Sequence, residues 1–195
     1  MEPQKDTRSL ILSTGRRLTA KRGYTGVGLS DLLKEAGVPK GSFYHYFPSK
    51  EAYGCAVLDD FIQEYNARLG SSLRQPEMDA RTRFLAYFED WHRNQVSPNP
   101  EDRCLVVRLS AEVADLSPTM SRILQQGVIG IVEHLANTLE EGVADGTIGP
   151  LGDPSAMAET IYHMWLGASL VASLSHDDAS LKSAMRATQE LIPRL

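Results

Sequence analysis

The punctuation of this chain limits its fold more than any other feature. Short breaks built from Gly, Pro, Ser and Asp separate segments too long, and too rich in Ala, Leu and Glu, to be strands. The pattern predicts an all-α protein of about nine helices. The first runs over residues 5–22, with Ile11, Gly15 and Leu18 on one face and Gly23 ending it. Ser30 reads as the N-cap of a short helix over 31–36, stopped by Gly37; a second short helix starts at Lys40 and reaches Tyr46 or Phe47. Ser49 then caps a long helix reaching Leu73. Further helices are predicted over 79–96, 102–115, 118–144, 154–175 and 177–191, with Ser117-Pro118 and Asp153-Pro154 as cap-plus-proline starts.

Charge divides the chain in two. Residues 1–50 hold nine Lys/Arg against four Asp/Glu, a net charge of +5, whereas the rest carries −10 and the whole chain −5. A basic head can meet phosphates that an acidic body would repel. The expected organisation is therefore a head over 1–50 and a body over 51–195. No apolar run is long enough to span a membrane, and "MEPQKDTRS" lacks the apolar stretch of a secretory signal. Two cysteines, Cys55 and Cys104, make no disulfide framework and no zinc site by themselves. A reducing cytoplasm, free thiols and no metal or cofactor are the expectation.

Residues 38–52, "VPKGSFYHYFPSKEA", set Lys40 and Lys50 at the ends of an aromatic cluster. The helix over 31–36, the "GVP" break and the helix from Lys40 have the proportions of a helix-turn-helix, whose second helix enters the major groove. Lys40 can reach a base edge or phosphate, Gly41 lets the backbone come close, and Ser42, Tyr44 and His45 offer hydroxyls and a ring nitrogen. Phe43 and Phe47 are expected to face inward against Leu29, Leu32 and Leu33. Lys50, in the first turn of the next helix, is placed to meet a phosphate. A helical hairpin with wholly buried aromatics and solvated lysines is the plainer alternative.

The string Gly23-Tyr24-Thr25, followed by Gly41, Ser42, Tyr44, Phe47, Ser49, Lys50 and Glu51, resembles the DNA-binding head of the TetR family of bacterial transcriptional regulators. That resemblance covers residues 8–55. It implies a three-helix head and contacts to double-stranded DNA through Thr25, Lys40, Gly41, Ser42, Tyr44, His45 and Lys50, with Ser30 also a DNA-facing candidate. It further implies a homodimer formed by the last two long helices and a body that responds to a small molecule. Gly167, Ala168, Ser169 and Ala172 would allow close helix packing there, and a two-fold dimer would read a pseudo-palindromic operator.

A narrower resemblance lies in "DRCLVVRLSAEVADLS" and "WLGAS", which are similar to the NemR-like branch of that family, whose members answer electrophiles or oxidants through cysteine. It makes Cys104 the sensing thiol. From the residues themselves, Asp102 is expected to cap the helix, placing Cys104 in its first turn with Arg103 and Arg108 nearby to lower its pKa. A buried structural cysteine is the alternative. The 154–175 helix offers no lysine, so any partner for an oxidised sulfur must come from elsewhere. Trp91, Tyr162 and Trp165, with His92 and His163, are either ligand-pocket or core residues. Cys55 reads as packing.

The expected function is a transcriptional regulator, a repressor by family habit, released by cysteine modification or by a non-covalent ligand in the body. An all-α thiol enzyme is a distant alternative, since no His/Asp pair lies near a cysteine and no C-x-x-C is present. A helical adaptor is the remaining one.

Overall fold

The computed structural model describes residues 7–195. These form nine α-helices and no strand: α1 (Thr7–Arg22), α2 (Leu29–Ala36), α3 (Lys40–Tyr46), α4 (Lys50–Ser72), α5 (Ala80–Gln95), α6 (Leu105–Leu116), α7 (Pro118–Ala144), α8 (Pro154–Ser175) and α9 (Ala179–Leu191). The expected start of the first helix at Lys5 lies outside the described residues. No helix among them is long and apolar enough to cross a membrane.

Four helix starts follow local side-chain hydrogen bonding. Ser49 Oγ accepts the backbone N–H of Ala52 at 3.0 Å, Asp79 Oδ1 that of Thr82 at 2.7 Å, Ser117 Oγ that of Met120 at 3.2 Å, and Asp153 Oδ1 that of Ser155 at 2.9 Å. Each satisfies a donor the helix itself leaves orphaned. Two expected caps are corrected. The second helix begins one residue before Ser30, after Gly28, with no side-chain cap, and Ser30 is an exposed residue within it. Asp102 closes a 3-10 turn over Pro100–Asp102, its carboxylate accepting from Ser97 Oγ and Asn99 Nδ2, so α6 starts later, at Leu105.

The chain forms two compact units. The first comprises the residues up to Glu64 together with Arg108–Gln126, and so takes in more than the segment 1–50. Its core sets Phe43, fully buried, with Phe47, Leu32, Ile11, Val57 and Tyr53. Gly15 is needed where the Tyr53 ring crosses α1, because a Cβ there would lie 1.5 Å from the Tyr53 hydroxyl. Gly37, at φ 65°, ends α2 in the left-handed conformation and turns the chain toward α3. The second unit, Tyr65–Val107 with Gly127–Leu195, centres on Phe84, Phe88, Trp91, Tyr162 and Trp165, with α9 packed against α5 and α8. Burying aromatics of this size stabilises by roughly 1.5–3 kcal/mol apiece.

Candidate functional site

In the first unit, α3 splits its aromatics by face. Phe43 is fully buried and packs on Phe47 and Tyr53 with centroids 5.4 and 5.5 Å away. Tyr44, on the opposite face, is 48% exposed, beside exposed Lys40, Gly41 and His45 and half-buried Ser42. Lys40 Nζ lies 5.9 Å from the Tyr44 ring centroid, which holds the charge on that face. A Cβ added at Gly41 would meet nothing within 4 Å, so the protein's own packing does not require glycine there. A surface of hydroxyls, a cation and bare backbone suits an approaching groove.

Three other basic residues of the head are already paired. Arg17 meets Glu35 at 2.9 Å, Arg22 meets Asp31 at 3.1 Å, and Arg16 pairs with Glu64. Lys50, half-buried at the start of α4, sits 5.1 Å from the Tyr24 ring centroid, while the Tyr24 hydroxyl donates to the Lys50 carbonyl at 2.7 Å. Burial pushes the Tyr24 phenol up to about 12, so it stays a donor at neutral pH.

Thr25 has a partner that sequence reasoning missed. Glu112, on α6, accepts the backbone N–H of Tyr24 at 3.1 Å, the backbone N–H of Thr25 at 2.5 Å, and the Thr25 hydroxyl. These hydrogen bonds hold its carboxyl below the usual range even though burial acts the other way. The one available signal was an acidic residue inside the apolar stretch "LSAEVADL", and its partner is distant in sequence.

In the second unit, half-buried Cys104 immediately precedes α6, and the backbone N–H groups of Val106 and Val107 favour its thiolate. The expectation of a lowered pKa is corrected. Burial raises the thiol, outweighing the downward pull of those N–H groups. Arg103 turns away, its guanidinium donating to the Ser97 carbonyl at 2.9 and 3.2 Å, and Arg108 acts on Glu112. Cys104 is electrostatically linked to Tyr65, Tyr87 and Tyr162. The Tyr65 and Tyr87 hydroxyls hydrogen-bond at 2.8 Å, and the buried Tyr162 hydroxyl has no hydrogen-bond partner among the described residues. Cys55 is half-buried, its thiol raised by burial and by Glu51.

Trp91, Tyr162 and Trp165 belong to the core, at 5%, 0% and 0% exposure. The Trp91 indole donates to Ser169 Oγ and that of Trp165 to Thr188 Oγ1, each at 2.9 Å, so each buried N–H is satisfied internally. A separate cavity of about 430 Å³ is bordered by Gln95, Arg103, Ser173, His176, Asp177 and Asp178.

A helix-turn-helix with its polar face outward, joined in one chain to a helical body, defines a DNA-binding transcriptional regulator. Residues 11–52 match the model of bacterial regulatory proteins of the tetR family, and residues 80–188 match the tetracyclin repressor-like C-terminal domain. The chain belongs to the TetR family and is a NemR-like member of it, a regulator rather than an enzyme. It is 41% identical to the HTH-type transcriptional repressor NemR of Escherichia coli K12 over 97% of this chain and 95% of that one. It is 29% identical to the HTH-type transcriptional repressor DhaR of a Mycobacterium species, over 84% and 80%. The solved structure of the reduced form of E. coli NemR superposes with a TM-score of 0.92 at 40% identity, covering 97% and 98%.

Proposed function

We propose that the protein is a homodimeric repressor that leaves a pseudo-palindromic operator when an electrophile or oxidant modifies Cys104. The observation that carries this reading is the position of the sulfur. Cys104 is a half-buried residue immediately before α6, its sulfur acted on by the backbone N–H groups of Val106 and Val107. Alkylation replaces the sulfur's proton with a bulky substituent amid the buried tyrosines. Oxidation makes it larger and more polar. Either change disturbs the bonds from Val106 and Val107 and with them the first turn of α6. Reaction proceeds through the thiolate, which burial makes scarce at neutral pH. Repression is supported by the names of both relatives.

Thr25, Ser30, Lys40, Gly41, Ser42, Tyr44, His45 and Lys50 form the DNA-contact set in this reading, with Lys40 and Tyr44 foremost because they stand outward on α3. Dimerisation through α8 is supported by its outward Leu170, Val171 and Leu174, at 52%, 51% and 81% exposure. Apolar side chains grouped on one helix mark a surface suited to covering. Two heads about one DNA turn apart then address successive major grooves. Release requires that modification favour the conformation that binds DNA less well.

The test is fluorescence anisotropy on DNA from upstream of the protein's own gene, with and without N-ethylmaleimide, for wild type and Cys104→Ser. Release of wild type and retention of the variant supports the reading. Release of both moves the chemistry to Cys55 or elsewhere. Retention of both overturns thiol sensing and directs attention to the 430 Å³ cavity as a non-covalent inducer site.

A further inference from the structure

We propose that Glu112 is the positioning residue through which α6 sets the pose of the helix-turn-helix, so that a change at the Cys104 end of α6 reaches the head through this carboxylate. The proposal rests on the thiol-sensing reading above and adds the route by which the signal travels.

The geometry begins with a turn that its own helices cannot satisfy. Gly23 ends α1 at φ 76°, and the chain then runs through Tyr24 and Thr25 toward α2. The Gly23 N–H is taken up by the Thr19 carbonyl at 2.9 Å. The next two N–H groups instead point at Glu112, 88 and 87 residues away in sequence. With the Thr25 hydroxyl they give the carboxylate three donors, a charge-assisted grip that fixes direction as well as distance. The fit is close. A Cβ at Gly23 would lie 2.7 Å from Glu112 Oε2, so only glycine lets the turn approach the carboxylate. Tyr24, held on one side by Glu112, is tied on the other by its hydroxyl to the Lys50 carbonyl at the start of α4. The gripped segment leads directly into α2, which the Gly37 turn joins to the recognition helix.

The other end of the lever is Cys104, the residue before α6. Glu112 is eight steps along the chain from it, about 12 Å along one axis at 1.5 Å per residue. Leu109 and Val113, on the stretch toward and beyond Glu112, are both fully buried, so α6 is held as a packed rod rather than a fraying end. A packed rod that loses or shifts its first turn changes the position or tilt of what it carries. Here it carries the only side-chain acceptor recorded for the Tyr24 and Thr25 N–H groups among the described residues. Ionisation completes the device, because the hydrogen bonds keep Glu112 negatively charged at neutral pH.

The experiment is a cycle on the full-length protein: operator Kd for wild type and Glu112→Gln, each before and after treatment with N-ethylmaleimide. Glutamine keeps the shape but turns an amide group toward one of the three donors. The expected result is that Glu112→Gln binds about tenfold more weakly than untreated wild type, near the treated wild type, and that alkylation then adds almost nothing. Equal fold-changes on alkylation in the two proteins would make Glu112 merely structural and overturn the proposal, as would a Glu112→Gln protein that binds and releases like wild type. A wild type that alkylation leaves on DNA removes the thiol reading itself, and the Cys104–Glu112 route falls with it. Circular dichroism monitors folding. If Glu112→Gln fails to fold, Thr25→Val, which removes one donor of three, decides by the same comparison: a reduced response to alkylation supports the route, and an unchanged response overturns it.

Discussion

Cys104 is the residue before α6, and the Val107 backbone N–H in the first turn of that helix acts on its sulfur. A serine at the same position offers a stronger acceptor in the same place, and alanine offers none. Cys104→Ser is therefore expected to unfold at or above the wild-type urea midpoint, whereas Cys104→Ala loses about 1 kcal/mol. A loss in the serine variant as large as in the alanine one would show that thiol packing, not capping, matters at this position.

Burial raises the Cys104 thiol above the ordinary value of 9.0. Its alkylation rate should accordingly climb with pH throughout the range from 7 to 9 without levelling off, because the reactive thiolate is still a minority species there. Rates measured by mass spectrometry at Cys104 check this, and a plateau below pH 8 would contradict it.

Glu112 titrates below its ordinary value in the folded protein. A lowered folded pKa means that its contribution is fully present above the unfolded pKa, near 4.5, and is lost as pH falls through the folded value. The stability difference between wild type and Glu112→Gln should thus be greatest near neutrality, about 1–2 kcal/mol, and should shrink in acid. Urea unfolding at pH 7 and near pH 3 measures it; a difference that grows on acidification reverses the sign and removes the assignment.

Lys40 lies on the outward face of α3, over the Tyr44 ring. Replacing it with alanine is expected to weaken operator binding while leaving thermal stability nearly unchanged. If it meets a phosphate, the slope of log K against log salt becomes shallower by about one and all sequences weaken alike. If it meets a base edge, discrimination at one operator position falls by about 1–3 kcal/mol. Unchanged affinity would take Lys40 out of the contact set.

Leu174 is 81% exposed on α8. Leu174→Glu is expected to shift the protein toward monomer in analytical ultracentrifugation, since a charge in an apolar contact is costly. The same variant should lose operator affinity if both heads must bind together. A dimer indifferent to the change places the two-fold contact elsewhere.

The elements most legible in the sequence were those whose causes are local. Ser49, Ser117 and Asp153 were readable as caps because each accepts from a backbone N–H within three residues. Phe43 was readable as inward because a seven-residue helix cannot bury one face without turning the other to solvent. Asp102 misled because it sits before an apolar run as a cap should, while Ser97 and Asn99 claim its carboxylate from the preceding loop. Arg103 misled likewise: adjacency suggested a charge on the thiol, but the guanidinium goes to the Ser97 carbonyl.

By itself, the sequence determined an all-helical chain with a basic helix-turn-helix and an acidic body, because periodicity, caps and breaks act over one or two helical turns. Only the tertiary structure decided the state of Cys104 and the role of Glu112. Desolvation depends on the core a sulfur packs against, and the cluster beside Cys104 draws Tyr87 and Tyr162 from two different helices. The Glu112 carboxylate finds its donors across 88 residues of chain. No local pattern encodes such a pairing. It arises when packed helices leave two N–H groups facing one acid.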